Sequence, residues 1–184
     1  MNKINLKINQ IYLAVGIAIT FNIAFVGLAF ASDITPENVL KDINAERTNR
    51  GLSSLKEDPN LDFASTLKTK DMLNRDYFDH YANGLTPWDF FKIADYDYLY
   101  AGENLAMDFV TSEGMVKAWM NSPKHRENIL NEDYADIGIG IVKGEYNDNG
   151  KTRETTMVTN MFGHKKPAII RIYNYIAKNV FNSF

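Results

Sequence analysis

The apolar positions of this chain change period part-way along it. Val39, Leu40, Ile43 and Arg47 mark a helix that Thr35-Pro36-Glu37 starts, with the Thr hydroxyl as N-cap and Pro in the first turn, and that Gly51 ends. A second helix begins near Asn60 and carries Leu61, Ala64, Leu67, Lys68, Met72 and Leu73. Thr86-Pro87 starts a short one from Trp88 to Ala94, another runs from about Ser112 to Met120, and Ser122-Pro123 caps the next, which carries His125. Alternation then replaces helical spacing. Ile137, Ile139 and Ile141 alternate with Gly138, Gly140 and Val142, and Thr156, Val158 and Asn160 alternate with Met157, Thr159 and Met161. Asn147-Asp148-Asn149-Gly150 between the two runs predicts a hairpin turn. Helices first and an antiparallel sheet afterwards predict a layered α+β domain.

The two ends of the chain stand apart from this body. Lys3 and Lys7 are the only charges in the first 31 residues, and an apolar run from Ile11 to Phe30 follows them. A basic start, a hydrophobic stretch and the small residues of Ala29-Phe30-Ala31 form the pattern of a signal peptide cut before Ser32. The stretch is also just long enough to span a bilayer with its cations on the cytoplasmic side, so an uncleaved membrane anchor is the alternative. Either reading places the domain outside the cytoplasm, secreted or tethered. At the other end, residues 165–184 hold Lys165, Lys166, Arg171 and Lys178 and no acid, while Ile169, Ile172, Tyr173, Ile176, Val180 and Phe184 fall close to helical spacing. Such a basic amphipathic tail either packs on its own domain or lies in an anionic membrane interface. The expected organisation is a leader or anchor over 1–31, one domain over 32–164 and the tail over 165–184.

Composition narrows the class. With 184 residues, 45% hydrophobic and 23% charged, the chain is long enough for one domain with a real core. The absence of cysteine excludes a disulfide framework, a thiolate metal site and a cysteine nucleophile. All 23 acidic residues lie between Asp33 and Glu154, and an acidic domain argues against a phosphate-binding nucleic-acid surface.

Three phrases carry the candidate chemistry. They are Tyr77-Phe78-Asp79-His80, then Ala101-Gly102-Glu103-Asn104-Leu105-Ala106, then the run from Ala118-Trp119 to Ile129-Leu130 that holds His125. In that order they closely resemble the CAP superfamily, also called SCP or PR-1-like, and within it the bacterial secreted branch, over about Val39 to Gly163. The resemblance implies a three-layer α-β-α sandwich with a central antiparallel sheet, and one solvent-filled cleft lined by His80, Glu103 and His125. It leaves activity open, because the family holds members of unknown or disputed role. Eukaryotic relatives usually carry disulfides, so a cysteine-free exported chain fits the bacterial branch. Those relatives also complete the cleft with a second glutamate just after the Trp; here Met120, Asn121 and Ser122 follow Trp119 and that glutamate is missing.

Two neutral imidazoles and a carboxylate suit a divalent transition metal such as zinc, with one position left for water, so His80, His125 and Glu103 are the candidate ligands. Each also has a plainer reading: His80 ends a helix and caps its carbonyls, Glu103 accepts backbone N–H groups in a tight turn after Gly102, and His125 is merely tolerated in the first turn of its helix. Ser122, His125 and Glu103 supply the residue types of a nucleophile, a base and an orienter. A serine spent on a helix cap is not a free nucleophile, however, and the chain has no Gly-x-Ser-x-Gly elbow. Metal-assisted hydrolysis by water is chemically sounder. Two functions are therefore expected: a binding module of the bacterial envelope or extracellular space for a cell-wall fragment, lipid or protein partner, or a metal-assisted, peptidase-like hydrolase using the same cleft. Tyr96, Tyr98 and Tyr100 alternate as on a surface or edge strand, where they either line a groove for a glycan or peptide or, the better-supported reading, pack; His164 is expected in solvent at the end of the last strand. Asp148 and its neighbours lack the spacing and closing glutamate of a calcium loop.

Overall fold

The early helices start where the sequence supplies caps. Thr35 accepts the Asn38 N–H at 3.2 Å to open α1 (Pro36–Thr48). After the short β1 (Lys56–Glu57), the Asp58 carboxylate accepts the N–H groups of Asn60 and Leu61 to open α2 (Pro59–Asn74). Asp89 reaches back to the Thr86 N–H at 2.8 Å at the start of α3 (Pro87–Ile93), and β2 (Tyr98–Met107) follows. Thr111 holds the first turn of α4 (Ser112–Asn121) by accepting from Gly114 N–H at 3.1 Å. The chain continues through α5 (Pro123–Leu130), β3 (Asp136–Asp148), β4 (Lys151–Lys165) and α6 (Ala168–Val180). This computed structural model describes residues 33–180; the segment 1–31 read above as a leader or anchor lies outside the described residues.

The strands lie in the order β1-β3-β4-β2, with β3 against β4 and β4 against β2 antiparallel. The central sheet is not wholly antiparallel, since β1 pairs with β3 in parallel through Lys56 and Glu57. The chain leaves β1 directly into α2 and reaches β3 only after the intervening helices, a long connection of the kind parallel pairing needs. Asn149 and Gly150 form the predicted hairpin turn, both at positive φ (52° and 87°) between the paired Asp148 and Lys151.

Alternation sorts the two faces of the sheet into two cores. Ile137, Ile139, Val158 and Phe162 bury against Val39 and Ile43 of α1, Met115, Val116 and Trp119 of α4, and Ile129 of α5. Met161 points the other way, into Leu61 and Ala64 of α2 and Phe90 and Phe91 of α3, while Met157 packs with Met72 and Leu105. The result is the three-layer α-β-α sandwich that the motifs imply. Helix α2 lies almost on the sheet backbone because β3 offers glycine there: a Cβ on Gly138 would sit 2.0 Å from the Leu61 carbonyl carbon. The Ile139 N–H donates to Asp62 Oδ1 on this helix at 3.0 Å, beyond the last residue that pairs with β1. On the opposite side, the buried Arg47 guanidinium donates to the carbonyls of Ser53, Ile129 and Asn131, tying α1 to the end of α5.

Of the two readings of the tyrosines, packing holds for the first two: Tyr96 is buried and donates to Asp136 at 2.7 Å, Tyr98 is half-buried and Tyr100 is exposed, so the three do not line one groove. His164 is exposed but lies within β4, its Nδ1 2.8 Å from the Asp133 carbonyl oxygen, because β4 continues to Lys165.

Candidate functional site

The cleft is built around the edge strand β2. Glu103 lies in the middle of that strand, only 6% exposed, and its Oε1 is 2.6 Å from His80 Nδ1. Its other oxygen, Oε2, is buried without a hydrogen-bond partner among the described residues. A carboxylate only accepts, so with Glu103 ionised the proton sits on Nδ1 and a neutral His80 keeps its Nε2 lone pair free. The His80 side chain, on the loop after α2, is 41% exposed. His125 stands half-buried in the first turn of α5, and burial, reinforced by the neighbouring His80, pushes its pKa below the ordinary 6.5. All three residues line one open cleft of about 310 Å³ whose walls also carry Tyr81, Trp88 and Asn128.

Several of the plainer readings fail on geometry. Glu103 occupies a strand, not a tight turn, and His80 lies well past the end of α2 at Asn74. The Ser122 hydroxyl makes no cap bond to α5, so helix capping no longer argues against it as a nucleophile; it lines the same cleft. Among the described residues no three or more His, Asp or Glu side chains are grouped so as to hold a metal.

Each residue of the Gly102-Glu103-Asn104 phrase has a local reason. Tyr134 Oη, Asn128 Nδ2 and Trp119 Nε1 donate to the carbonyls of Ala101, Glu103 and Leu105 at 3.0, 3.0 and 2.9 Å. These alternate carbonyls belong to the edge strand, where partners from α4, α5 and the loop before β3 replace a neighbouring strand. Gly102 makes room for two of the donors, since a Cβ there would lie 2.4 Å from Tyr134 Oη and 2.8 Å from Asn128 Oδ1. Asn104 accepts from Asn128 at 2.8 Å and donates to the His125 carbonyl at 3.0 Å, which fixes the first turn of α5 against β2.

His80 is placed from behind by a residue that sequence reasoning counted only as part of a helix stripe. Lys68, fully buried, donates to the carbonyls of Asp79 and His80 at 2.9 and 3.1 Å and lies over the rings of Tyr77 and Phe90. Burial pushes its pKa down, against the pull of the nearby Glu103 carboxylate. The signal was its phase: a lysine on the same stripe as Leu61, Ala64 and Met72 must bury its ammonium or find acceptors.

Residues 40–162 match the model of CAP, the cysteine-rich secretory protein family, and the chain belongs to that family. It is 42% identical over 108 residues to YkwD of Bacillus subtilis (strain 168), described as an uncharacterized protein, over 58% of this chain and 42% of that protein. It is also 31% identical over 117 residues to YlbC of the same organism, described as an uncharacterized membrane protein, over 62% of this chain and 34% of that one. The chain thus spans less than half the length of either relative. A crystal structure of an extracellular SCP-domain protein from Bacillus anthracis str. Ames shares the fold at a TM-score of 0.60 and 25% identity, over 72% of this chain and 44% of that one.

Proposed function

We propose that this chain is an exported CAP-domain protein of the bacterial envelope or extracellular space, and that the cleft of His80, Glu103 and His125 holds its ligand. The observation that carries this reading is the Glu103 carboxylate: one oxygen orients His80 and the other is buried with no partner among the described residues. A buried acceptor without a donor is costly, and a ligand N–H, O–H or cation supplies what it lacks. The basic-apolar start of the sequence and the extracellular nature of the Bacillus anthracis relative support export. The acidic body speaks for an uncharged or cationic ligand, a cell-wall fragment, lipid or protein rather than nucleic acid.

A divalent metal such as zinc is the second candidate: His80 Nε2 and His125 would be its ligands, with Glu103 behind His80 as the carboxylate that fixes its tautomer, and water would complete the shell because no three His, Asp or Glu among the described residues are grouped to hold it. A bound metal would supply an activated water, which is the basis of the second reading, metal-assisted hydrolysis. The lowered pKa of His125 favours that reading, because it keeps the imidazole neutral and able to donate its lone pair.

Titration of isotopically labelled protein with zinc and, separately, with soluble peptidoglycan fragments tests both, read at the His80 and His125 ring resonances. Saturable movement with the fragments supports the binding module; movement with zinc that disappears in His80→Ala/His125→Ala supports the metal site and justifies hydrolase assays. Rings that move with neither would refute the assignment of the cleft as the ligand site.

A further inference from the structure

Helix α6 shows water a face that helices normally bury. Ile169 is 72% exposed, Ile172 54%, Tyr173 69% and Ile176 43%. Their three- and four-residue spacing makes them one stripe. The 13 residues of α6 extend about 20 Å at ~1.5 Å each, short of the ~30 Å of a bilayer core. No helix among the described residues is long and apolar enough to cross a membrane. The root of α6 is fixed on the domain: Lys165 pairs with Asp58, Lys166 pairs with Asp97, and the Lys166 N–H donates to the Asp97 carbonyl at 3.0 Å. Beside that root, Leu99 and Tyr100 of the edge strand are each 46% exposed, and Tyr100 is the register partner of His164. Exposed apolar surface therefore flanks the point where α6 leaves the sheet.

Charge decides what covers this face. All 23 acidic residues precede Thr155, whereas the chain from His164 onward carries Lys165, Lys166, Arg171 and Lys178 and no acid. Lys165 and Lys166 are paired with Asp58 and Asp97, so Arg171 and Lys178 leave this end of the sequence with a net positive charge. We propose that α6 lies in the plane of an anionic lipid surface, with its isoleucine stripe among the acyl chains. Such a surface repels the acidic body and attracts the basic end, so it seats the domain by α6.

The absence of cysteine lets one introduced thiol report one position. Full-length Tyr173→Cys, carrying an environment-sensitive dye, is titrated with vesicles of phosphatidylglycerol and phosphatidylcholine in equal parts, and with vesicles of phosphatidylcholine alone. Val110→Cys, at a position 85% exposed on the loop before α4, is the reference. A dye on α6 reports the helix itself, so attachment through residues 1–31 does not mimic the result. The expected outcome is a blue shift at position 173 that needs about tenfold less anionic than neutral lipid, is reversed by salt, and is absent at position 110. Ile172→Asp/Ile176→Asp is expected to abolish it. No shift on anionic vesicles, an equal shift on both lipids, a shift that survives the double substitution, or a lipid-independent shift that tracks dimer formation would each overturn the proposal.

Discussion

The Lys68 ammonium, fully buried on α2, donates to the backbone carbonyl of His80 at 3.1 Å, so the loop that carries a cleft imidazole is tied to the protein interior. The same group holds the Asp79 carbonyl at 2.9 Å. An apolar side chain of similar length keeps the packing but leaves both carbonyls without this donor.

Lys68→Met is therefore expected to lower stability by about 1–3 kcal/mol and to loosen the contact between His80 and Glu103. Denaturant unfolding measures the first effect and the His80 ring resonances the second. A variant that keeps both the wild-type midpoint and the wild-type ring shifts would show that Lys68 does not position the loop.

Gly102→Ala separates close approach from backbone freedom. The added Cβ meets Tyr134 Oη and Asn128 Oδ1, the two side chains that hold the carbonyls of Ala101 and Glu103. Displacing them is expected to cost about 1–3 kcal/mol and to shift the amide resonances of β2. At Gly84 the space is open and the cost is the strain of φ +77° alone, so Gly84→Ala is expected to lose only about 1–2 kcal/mol and leave β2 unmoved. Equal effects on the β2 amides from both substitutions would rule out the packing explanation.

Much of this architecture is legible in the chain, and the reasons are local. Thr35, the Thr86-Pro87 step and Asn149-Gly150 act through their own neighbours, so caps and turn fall where the sequence puts them. The change from helical spacing to alternation marks a layered α+β domain, and only the resemblance of its motifs to the CAP superfamily makes that a three-layer sandwich. The parallel pairing of β1 was hidden, because two residues carry no periodicity. The cleft was legible in its three titratable residues and illegible in its supports. Asn128 and Tyr134 act across the chain on β2 carbonyls, and nothing in their spacing announces it. The role of Ser122 was misread for a related reason: Ser-Pro is a common helix start, but here the cap bond is not made.

The glycines of β3 carry a second packing prediction. In Gly140→Ala a Cβ would lie 2.3 Å from the Ser65 carbonyl carbon, which is helix backbone and has no rotamer to yield. Helix α2 must lift from the sheet, stretching the bonds from Thr69 Oγ1 to the Gly140 carbonyl and from the Ile139 N–H to Asp62. The loss is expected to reach about 3 kcal/mol or prevent folding. An urea midpoint within error of the wild type would show that α2 floats on the sheet.

The two imidazoles make a prediction in pH. His125 has its pKa lowered below 6.5 first by burial and then by His80, so the folded state takes up its proton less readily than the unfolded chain does. Folding stability from this residue is therefore complete above the unfolded value of 6.5 and is lost as pH falls through the lower folded value. Urea midpoints are expected to decline as pH falls from 6.5 through the folded value, and to decline less in His125→Gln. Because burial is the larger cause, His80→Ala should raise the His125 midpoint only part of the way, as followed by its ring resonances. A His125 that titrates at its ordinary value in the wild type would show that its burial carries no electrostatic cost. One that titrates low but does not move in His80→Ala would show that the two rings do not sense each other across the cleft.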